Sequence, residues 1–387
     1  MKPLNPIVAA CPPSGIRRFF DIAATLPNVI SLGVGEPDYV TPWHVREAGI
    51  YALEQGYTTY TSNAGLLELR EAIVEDLSRR YRVSFDAATE CLVTSGVSQG
   101  LDLIMRTLLD TGDEVIIPEP CYVAYGPCVT FAGGTPVYVP SSPRFEILID
   151  EIERAITPRT KAILVSSPSN PTGAIQPRAV LEELAALAVR HDLYLVSDEI
   201  YERLSYDAAH TCLASLPGAR DRTVVLGGFS KAHAMTGWRV GFACAPAPVL
   251  ELAGRIHQYT MLCAPHVSQA AALEGLRSGD GQVAEMVADY DRRRRLFVKG
   301  LNEIGLTCEE PQGAFYAFPS IRSTGLTSEA FAERLLQSQQ VAVVPGSVFG
   351  PSGEGHVRCS YATALPLLDE ALERMGRFVR SLQNSSP

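Results

Sequence analysis

Between about residues 90 and 245, short aliphatic and β-branched runs alternate with longer segments of helical periodicity, and this alternation constrains the fold more than any other feature. The runs CLVTS, EVIIP, TPVYVP, AILVSSP, LYLVSD, TVVLGG and VGFACAP are strand candidates bounded by turn residues. Their nearly unbroken apolar character suits strands buried on both faces, and strand–helix alternation predicts a mainly parallel sheet. Leu101, Ile104, Met105 and Leu108 recur at helical spacing directly after SGVSQG, and Leu66, Leu69, Ile73 and Leu77 mark a second amphipathic helix.

Beyond residue 250 the pattern changes to long helices, to about residue 304, then to a shorter region with GAFYAF, VAVVPG and VRCSYA as strands. At 387 residues the chain exceeds the length at which one core keeps growing. The expected architecture is α/β: a large domain at 46–285, with a mainly parallel seven-stranded sheet sandwiched by helices, and a smaller α+β domain at 286–387. The N-terminal arm, 1–45, is expected to contribute to the smaller domain.

A net charge of −10 argues against a non-specific nucleic-acid binder or a binder of anionic membranes. The one tight basic run, Arg292 to Arg295, has Asp291 beside it and reads as a solvated helix face. Nine cysteines without a CxxC, and seven histidines without metal-ligand spacing, suggest neither a disulfide framework nor a metal site. Reduced thiols, a proline-rich N-terminus unlike a signal peptide, and no run of ~18 apolar residues point to a soluble cytoplasmic protein. The tail QNSSP is expected to fray.

In open α/β sheets, ligands sit beyond the carboxyl ends of the strands. After CLVT, Ser95-Gly96-Val97-Ser98 opens a helix, and free first-turn amides with the positive end of the helix dipole suit a phosphate. Alone, such a junction is an ordinary cap. After AILVSSP comes Asn170-Pro171-Thr172-Gly173, which would form a turn in any case. After LYLVS comes Asp198, which is costly to bury at a strand end unless a cation meets it, and which would otherwise be a surface cap. After TVVLGGF come Ser230, Lys231 and Arg239. A partly desolvated lysine is a nucleophile toward carbonyls, and an arginine fork suits a phosphate. A solvated loop lysine is the ordinary alternative. One ligand would answer all four places: pyridoxal phosphate, with its phosphate, aldehyde and ring nitrogen.

The motifs Gly33-Val-Gly-Glu-Pro-Asp38, Tyr60-Thr-Ser-Asn-Ala-Gly65, Asn170-Pro-Thr-Gly173, Asp198-Glu-Ile-Tyr201, Ser230-Lys231 and Met235-Thr-Gly-Trp-Arg239, with Arg358, span nearly the whole chain. In this order they resemble the fold-type I pyridoxal-phosphate aminotransferases of class I/II. The resemblance implies that Lys231 holds the cofactor and then moves the substrate proton, and that Asp198 pairs with the ring nitrogen. It further implies that Tyr201 and Asn170 bond the ring's phenolic oxygen and that Tyr122, in PEPCYVAY, stacks on the ring. Gly96, Val97, Ser98, Ser230 and Arg239 would hold the phosphate, joined by Tyr60 from a second subunit of a homodimer. Arg358 would grip the substrate α-carboxylate, with Gly35 and Asn170 near it. One departure is Gly228, where many relatives carry serine.

The implied activity is transfer of an amino group from an L-amino acid, aromatic or neutral, to a 2-oxo acid such as 2-oxoglutarate by a ping-pong mechanism. An N-acyl-diaminopimelate aminotransferase and a C–S β-lyase are the alternatives; MTGWR and Arg358 favour transamination. An effector domain of a transcription regulator lacks room for a winged helix, since only about 30 residues precede SLGVGEPD. A distal-carboxylate arginine is missing from His257-Gln-Tyr-Thr260, although Arg255 is near, and Arg255 or His257 is expected to offer an adaptable contact.

Overall fold

The computed structural model describes residues 2–13, 15–16 and 28–383. Most of SGIRRFFDIA, and the tail beyond Gln383, therefore lie outside the described residues. Strand β1 (Ile30–Ser31) precedes β2 (Cys91–Thr94), β3 (Glu114–Glu119), β4 (Thr135–Pro140), β5 (Thr160–Ser166), β6 (Tyr194–Asp198), β7 (Thr223–Gly228) and β8 (Gly241–Cys244). The last seven form one sheet in the order β2-β8-β7-β6-β5-β3-β4, in which only β8 runs antiparallel to its neighbours. Every strand expected between residues 90 and 245 is present.

Alternation along each strand divides the core between the two faces. Val115, Ile117, Leu164 and Val196 join the helix Val97–Leu108 through Leu101, Ile104 and Met105. Ile116, Ile163 and Leu195 face the other side, against Leu181, Leu184 and Leu187 of the helix Arg178–Arg190. Each of these side chains contributes ~1.5–3 kcal/mol by leaving water, which fixes the register of the whole sheet.

The C-terminal part holds β9 (Tyr316–Ala317), β10 (Val341–Ala342), β11 (Val344–Pro345) and β12 (Val357–Ser360). VAVVPG is thus two strands rather than one. β10 pairs in parallel with β1, whereas β11 joins an antiparallel sheet in the order β11-β12-β9. GAFYAF supplies only two strand residues, because Ala314 turns the chain with φ +57° just before them.

The basic run departs from expectation. On the helix Asp280–Glu303, Arg294 is 1% exposed, and Arg293 is also buried. Four consecutive residues cover most of a helical turn, so some must face inward. Arg294 donates to Asp207 Oδ2 (2.6 Å) and Pro311 O (2.7 Å), while Arg293 donates to Asp38 Oδ2 (2.7 Å) and Thr363 O (2.8 Å). Arg292 and Arg295 alone carry the solvated face.

Candidate active site

The carboxyl ends of β5, β6 and β7 and the start of the helix Val97–Leu108 open into one cavity of about 560 Å³. Gly35, Val97, Ser98, Tyr122, Asn170, Asp198, Tyr201, Ser230, Lys231, Arg239 and Arg358 all line it. Gly96 does not itself line it but stands against the lining residue Arg239, whereas Tyr60 does not line it and is 79% exposed.

Asp198 ends β6 and is buried, so it is no surface cap. Its Oδ2 accepts from Tyr125 Oη at 2.7 Å and its Oδ1 from Ile200 N at 3.2 Å. Burial outweighs these donors and pushes the carboxyl up to about 6. Across the cavity, Lys231 Nζ donates to Gly35 O at 2.7 Å. Burial pulls this amine down to about 8, against Glu36 and with help from Arg358 and Arg239. The lysine is therefore not a freely solvated loop residue, and its lowered proton affinity suits a nucleophile.

At the opposite end lies an anion cradle. The helix Val97–Leu108 begins after Gly96, whose φ of +78° favours glycine; Gln99 N and Gly100 N turn back to Gly96 O (3.2 and 3.3 Å), while the amides of Val97 and Ser98 precede that ladder and are available to an anion. A Cβ on Gly96 would stand 2.7 Å from Arg239 Nη2, so glycine also makes room for the guanidinium. Arg239 Nη1 is steadied by Thr236 O at 2.9 Å. A serine in place of Gly228 would be crowded, because a Cβ there meets Gly241 Cα at 3.1 Å and Ile200 Cδ1 at 3.2 Å.

Arg358, on β12, is 2% exposed. Its Nη1 donates to Asn170 Oδ1 (2.9 Å) and its Nη2 to Gly33 O (2.6 Å). Its Nε is buried without a partner among the described residues, and its guanidinium lies 4.4 Å from the centre of the Tyr316 ring. Tyr201 Oη is 2.8 Å from Tyr316 Oη. Sequence reasoning missed Tyr125 and Tyr316. Tyr125 follows Tyr122 by three positions in PEPCYVAY, and that spacing was the available signal; Tyr316 lay inside a run that read only as a strand.

Neither Arg255 nor His257 lines this chain's own cavity. Arg255 pairs with Glu251 at 2.6 Å on an exposed helix face. His257 is fully buried against Gln99 Nε2, at 3.0 Å, because its helix turns that position into the core.

A desolvated lysine facing a buried carboxylate, with amides, hydroxyls and an arginine placed for a phosphate, fits pyridoxal phosphate. The sheet and this donor set define a fold-type I pyridoxal-phosphate enzyme. The chain belongs to the family described as aminotransferase class I and II, whose profile matches residues 27–375. It is 56% identical to the putative aminotransferase YugH of Bacillus subtilis, covering 97% of this chain and 98% of that protein. It is 47% identical to an aspartate aminotransferase of Pyrococcus abyssi, over 95% and 96% of the two chains. The crystal structure of an aromatic aminotransferase from Pyrococcus horikoshii superposes with a TM-score of 0.91 at 46% identity, covering 94% of this chain and 99% of that one. The protein is an aminotransferase, dependent on pyridoxal phosphate and acting on small molecules. Among the described residues, no helix is long and apolar enough to cross a membrane.

Proposed function

We propose that the enzyme transfers the amino group of a neutral, preferentially aromatic L-amino acid to a 2-oxo acid such as 2-oxoglutarate, by a ping-pong mechanism. The carrying observation is the state of Arg358. A buried guanidinium is costly without an anion, yet among the described residues this one meets neutral oxygens and the rings of Tyr316 and Phe349. Its planar fork suits a carboxylate arriving with the substrate.

When bound, pyridoxal phosphate supplies an electrophilic aldehyde and a ring that delocalises the electrons left on a deprotonated α-carbon. Lys231 holds that group and its Nζ takes the proton from the substrate α-carbon. Asp198 keeps the ring nitrogen protonated; at an effective dielectric near 20 such a close pair is worth ~4 kcal/mol. Tyr201 and Asn170 orient the ring through its phenolic oxygen, Tyr122 stacks on it, and Gly96, Val97, Ser98, Ser230 and Arg239 hold the phosphate. Gly35 and Asn170 flank the carboxylate bound to Arg358.

The donor preference rests on the walls beside Arg358. Val34, Ile200 and Tyr316 are apolar or aromatic, and the cations among the described lining residues are Lys231, Arg239 and Arg358 alone. A distal carboxylate would have no cation left to pair with, at a cost of several kcal/mol, whereas an aromatic side chain gains ~1.5–3 kcal/mol. The names of relatives include both aspartate and aromatic aminotransferases, so substrate choice is where measurement decides.

Exposed Tyr57, Tyr60, Tyr259 and Leu262 support a homodimer in which Tyr60 reaches the partner's phosphate cradle. A division into an arm at 1–45, a cofactor domain at 46–285 and a smaller domain at 286–387 is supported by a core joining Ile30 and Leu32 to Phe297, Phe331 and Phe378. Nine unpaired cysteines suit a cytoplasmic location.

The test combines specificity constants for phenylalanine, tyrosine, aspartate, glutamate and N-acyl-diaminopimelate, all against 2-oxoglutarate, with Arg358→Lys. The variant should raise KM for phenylalanine ~10–100-fold by losing the two-point grip while leaving the cofactor's absorption intact. A value for aspartate tenfold above that for phenylalanine, or an unchanged KM in the variant, would overturn the proposal.

A further inference from the structure

We infer that Tyr125 is a positioning residue for Asp198: its hydroxyl aims the carboxylate into the cavity and keeps it ionised there. The inference rests on the role proposed for Asp198 above. Tyr125 opens the helix Tyr125–Phe131 and is buried in the core beneath the sheet's carboxyl edge. Packing alone asks only for the ring, since phenylalanine would fill the same volume. The hydroxyl has one acceptor of consequence, Asp198 Oδ2 at 2.7 Å, a length typical of a hydrogen bond to a charged oxygen.

Asp198 needs that donor. Its other oxygen receives a single longer bond, from Ile200 N at 3.2 Å. Burial and the neighbouring Glu199 favour the protonated acid; Lys231 across the cavity favours the anion. Glu199 does not compete for Tyr125, because its own oxygens accept from Ser197 Oγ (2.9 Å) and Leu213 N (3.0 Å) and meet His210 Nε2 (2.8 Å). Beside the pair also lie Ser166, the Cys121 thiol and Tyr122, whose ring meets that of Tyr125 edge-on at 5.6 Å. Burial and the adjacent carboxylate hold the Tyr125 phenol far above its ordinary range, so it remains a donor at every working pH. A carboxylate pinned on one oxygen by a side chain and on the other by its own loop cannot rotate. Its remaining lone pairs face the cavity.

The experiment uses Tyr125→Phe, Asp198→Asn and the double variant, each checked by thermal melting. Two readouts are taken: the titration midpoint of the Asp198 carboxyl in cofactor-free protein, by ¹³C NMR of labelled aspartate, and the dissociation constant for pyridoxal phosphate at pH 7. Tyr125→Phe should raise the midpoint by about one pH unit and weaken cofactor binding ~10-fold. In the Asp198→Asn background the same change should alter affinity less than about twofold, because an amide has no charge to hold. An unmoved midpoint, or equal weakening in both backgrounds, would assign Tyr125 a purely structural part and overturn the inference. Should Tyr125→Phe fail to fold, 3-fluorotyrosine placed at 125 is a stronger donor of nearly the same shape. It should lower the midpoint, and no movement would likewise overturn the inference. If Asp198→Asn binds the cofactor as the wild type does, the role of Asp198 falls first and the inference with it. Weak binding by Asp198→Asn beside an unaffected Tyr125→Phe sinks the inference alone.

Discussion

Asp198 is buried and Lys231 half-buried, the protonation of each is shifted by the water it has lost, and both make measurable statements about pH. The Lys231 amine is neutral above about 8 rather than above the ordinary 10.5. Covalent capture of pyridoxal phosphate should therefore accelerate with rising pH and level off beyond about 8, as stopped-flow absorbance would record; Lys231→Ala should still bind the cofactor non-covalently, through its phosphate contacts, and retain under about one hundredth of turnover. A capture midpoint near 10 would mean that the lysine is hydrated. Asp198 works in the opposite sense. Its folded value, about 6, lies above the ordinary 3.8, so it stabilises the cofactor-free fold below about pH 4 and that contribution is lost as pH rises to about 6. The loss amounts to ~3 kcal/mol. His233, pushed down to about 3 by burial, acts oppositely: it costs stability as pH falls below 6.5. Comparing wild type with Asp198→Asn isolates the carboxyl: the variant should gain on the wild type between pH 4 and 7 in thermal unfolding, and parallel curves would refute the desolvation. Lys231, Asp198 and Asn170 were legible because each follows an apolar strand, where topology puts ligands. Tyr125 was not, since its partner lies 73 residues away and a tyrosine on an apolar helix looks like packing.

Elements carry a second kind of constraint, in which backbone has to approach backbone or a guanidinium. The proposed phosphate cradle lies where β8 comes antiparallel alongside β2 and β7, bringing Gly241 against the chain at Gly96 and Val97. Gly96→Ala adds a methyl group at positive φ and pushes Arg239 away, so we expect cofactor affinity to fall ~10–100-fold with ~1–3 kcal/mol lost from the fold. Equilibrium dialysis and thermal melting together separate the two effects; an unchanged affinity would remove Arg239 and this helix start from the phosphate. The main sheet was readable because its runs are long and apolar on both faces. The C-terminal strands were not sized correctly: VAVVPG serves two sheets at once, with Val343 as the hinge between them, and nothing in its composition marks the break. The arginine run misled for a related reason: besides the local Asp289 and Asp291, Arg293 and Arg294 are met in the interior by Asp38 and Asp207, which come from distant segments.

At the scale of the molecule, a single chain leaves Tyr60 and Tyr259 almost fully in solvent while its phosphate cradle draws on one chain's donors. Dilution that splits the proposed dimer should therefore speed loss of cofactor, and Tyr60→Phe should do so without dilution; sedimentation showing a fully active monomer at assay concentration would refute the shared site. The loop from Gly33 to Glu36 adds a consequence for biosynthesis. Its carbonyls receive Lys231 from 196 residues away and Arg358 from 325 residues away, so the loop is among the first parts of the site to leave the ribosome and the last to be satisfied. Until β12 has been synthesised, the anion cradle and the lysine lack the wall that Arg358 and Tyr316 complete. A nascent chain halted before Val357 would expose a reactive amine without the grip that selects what reaches it.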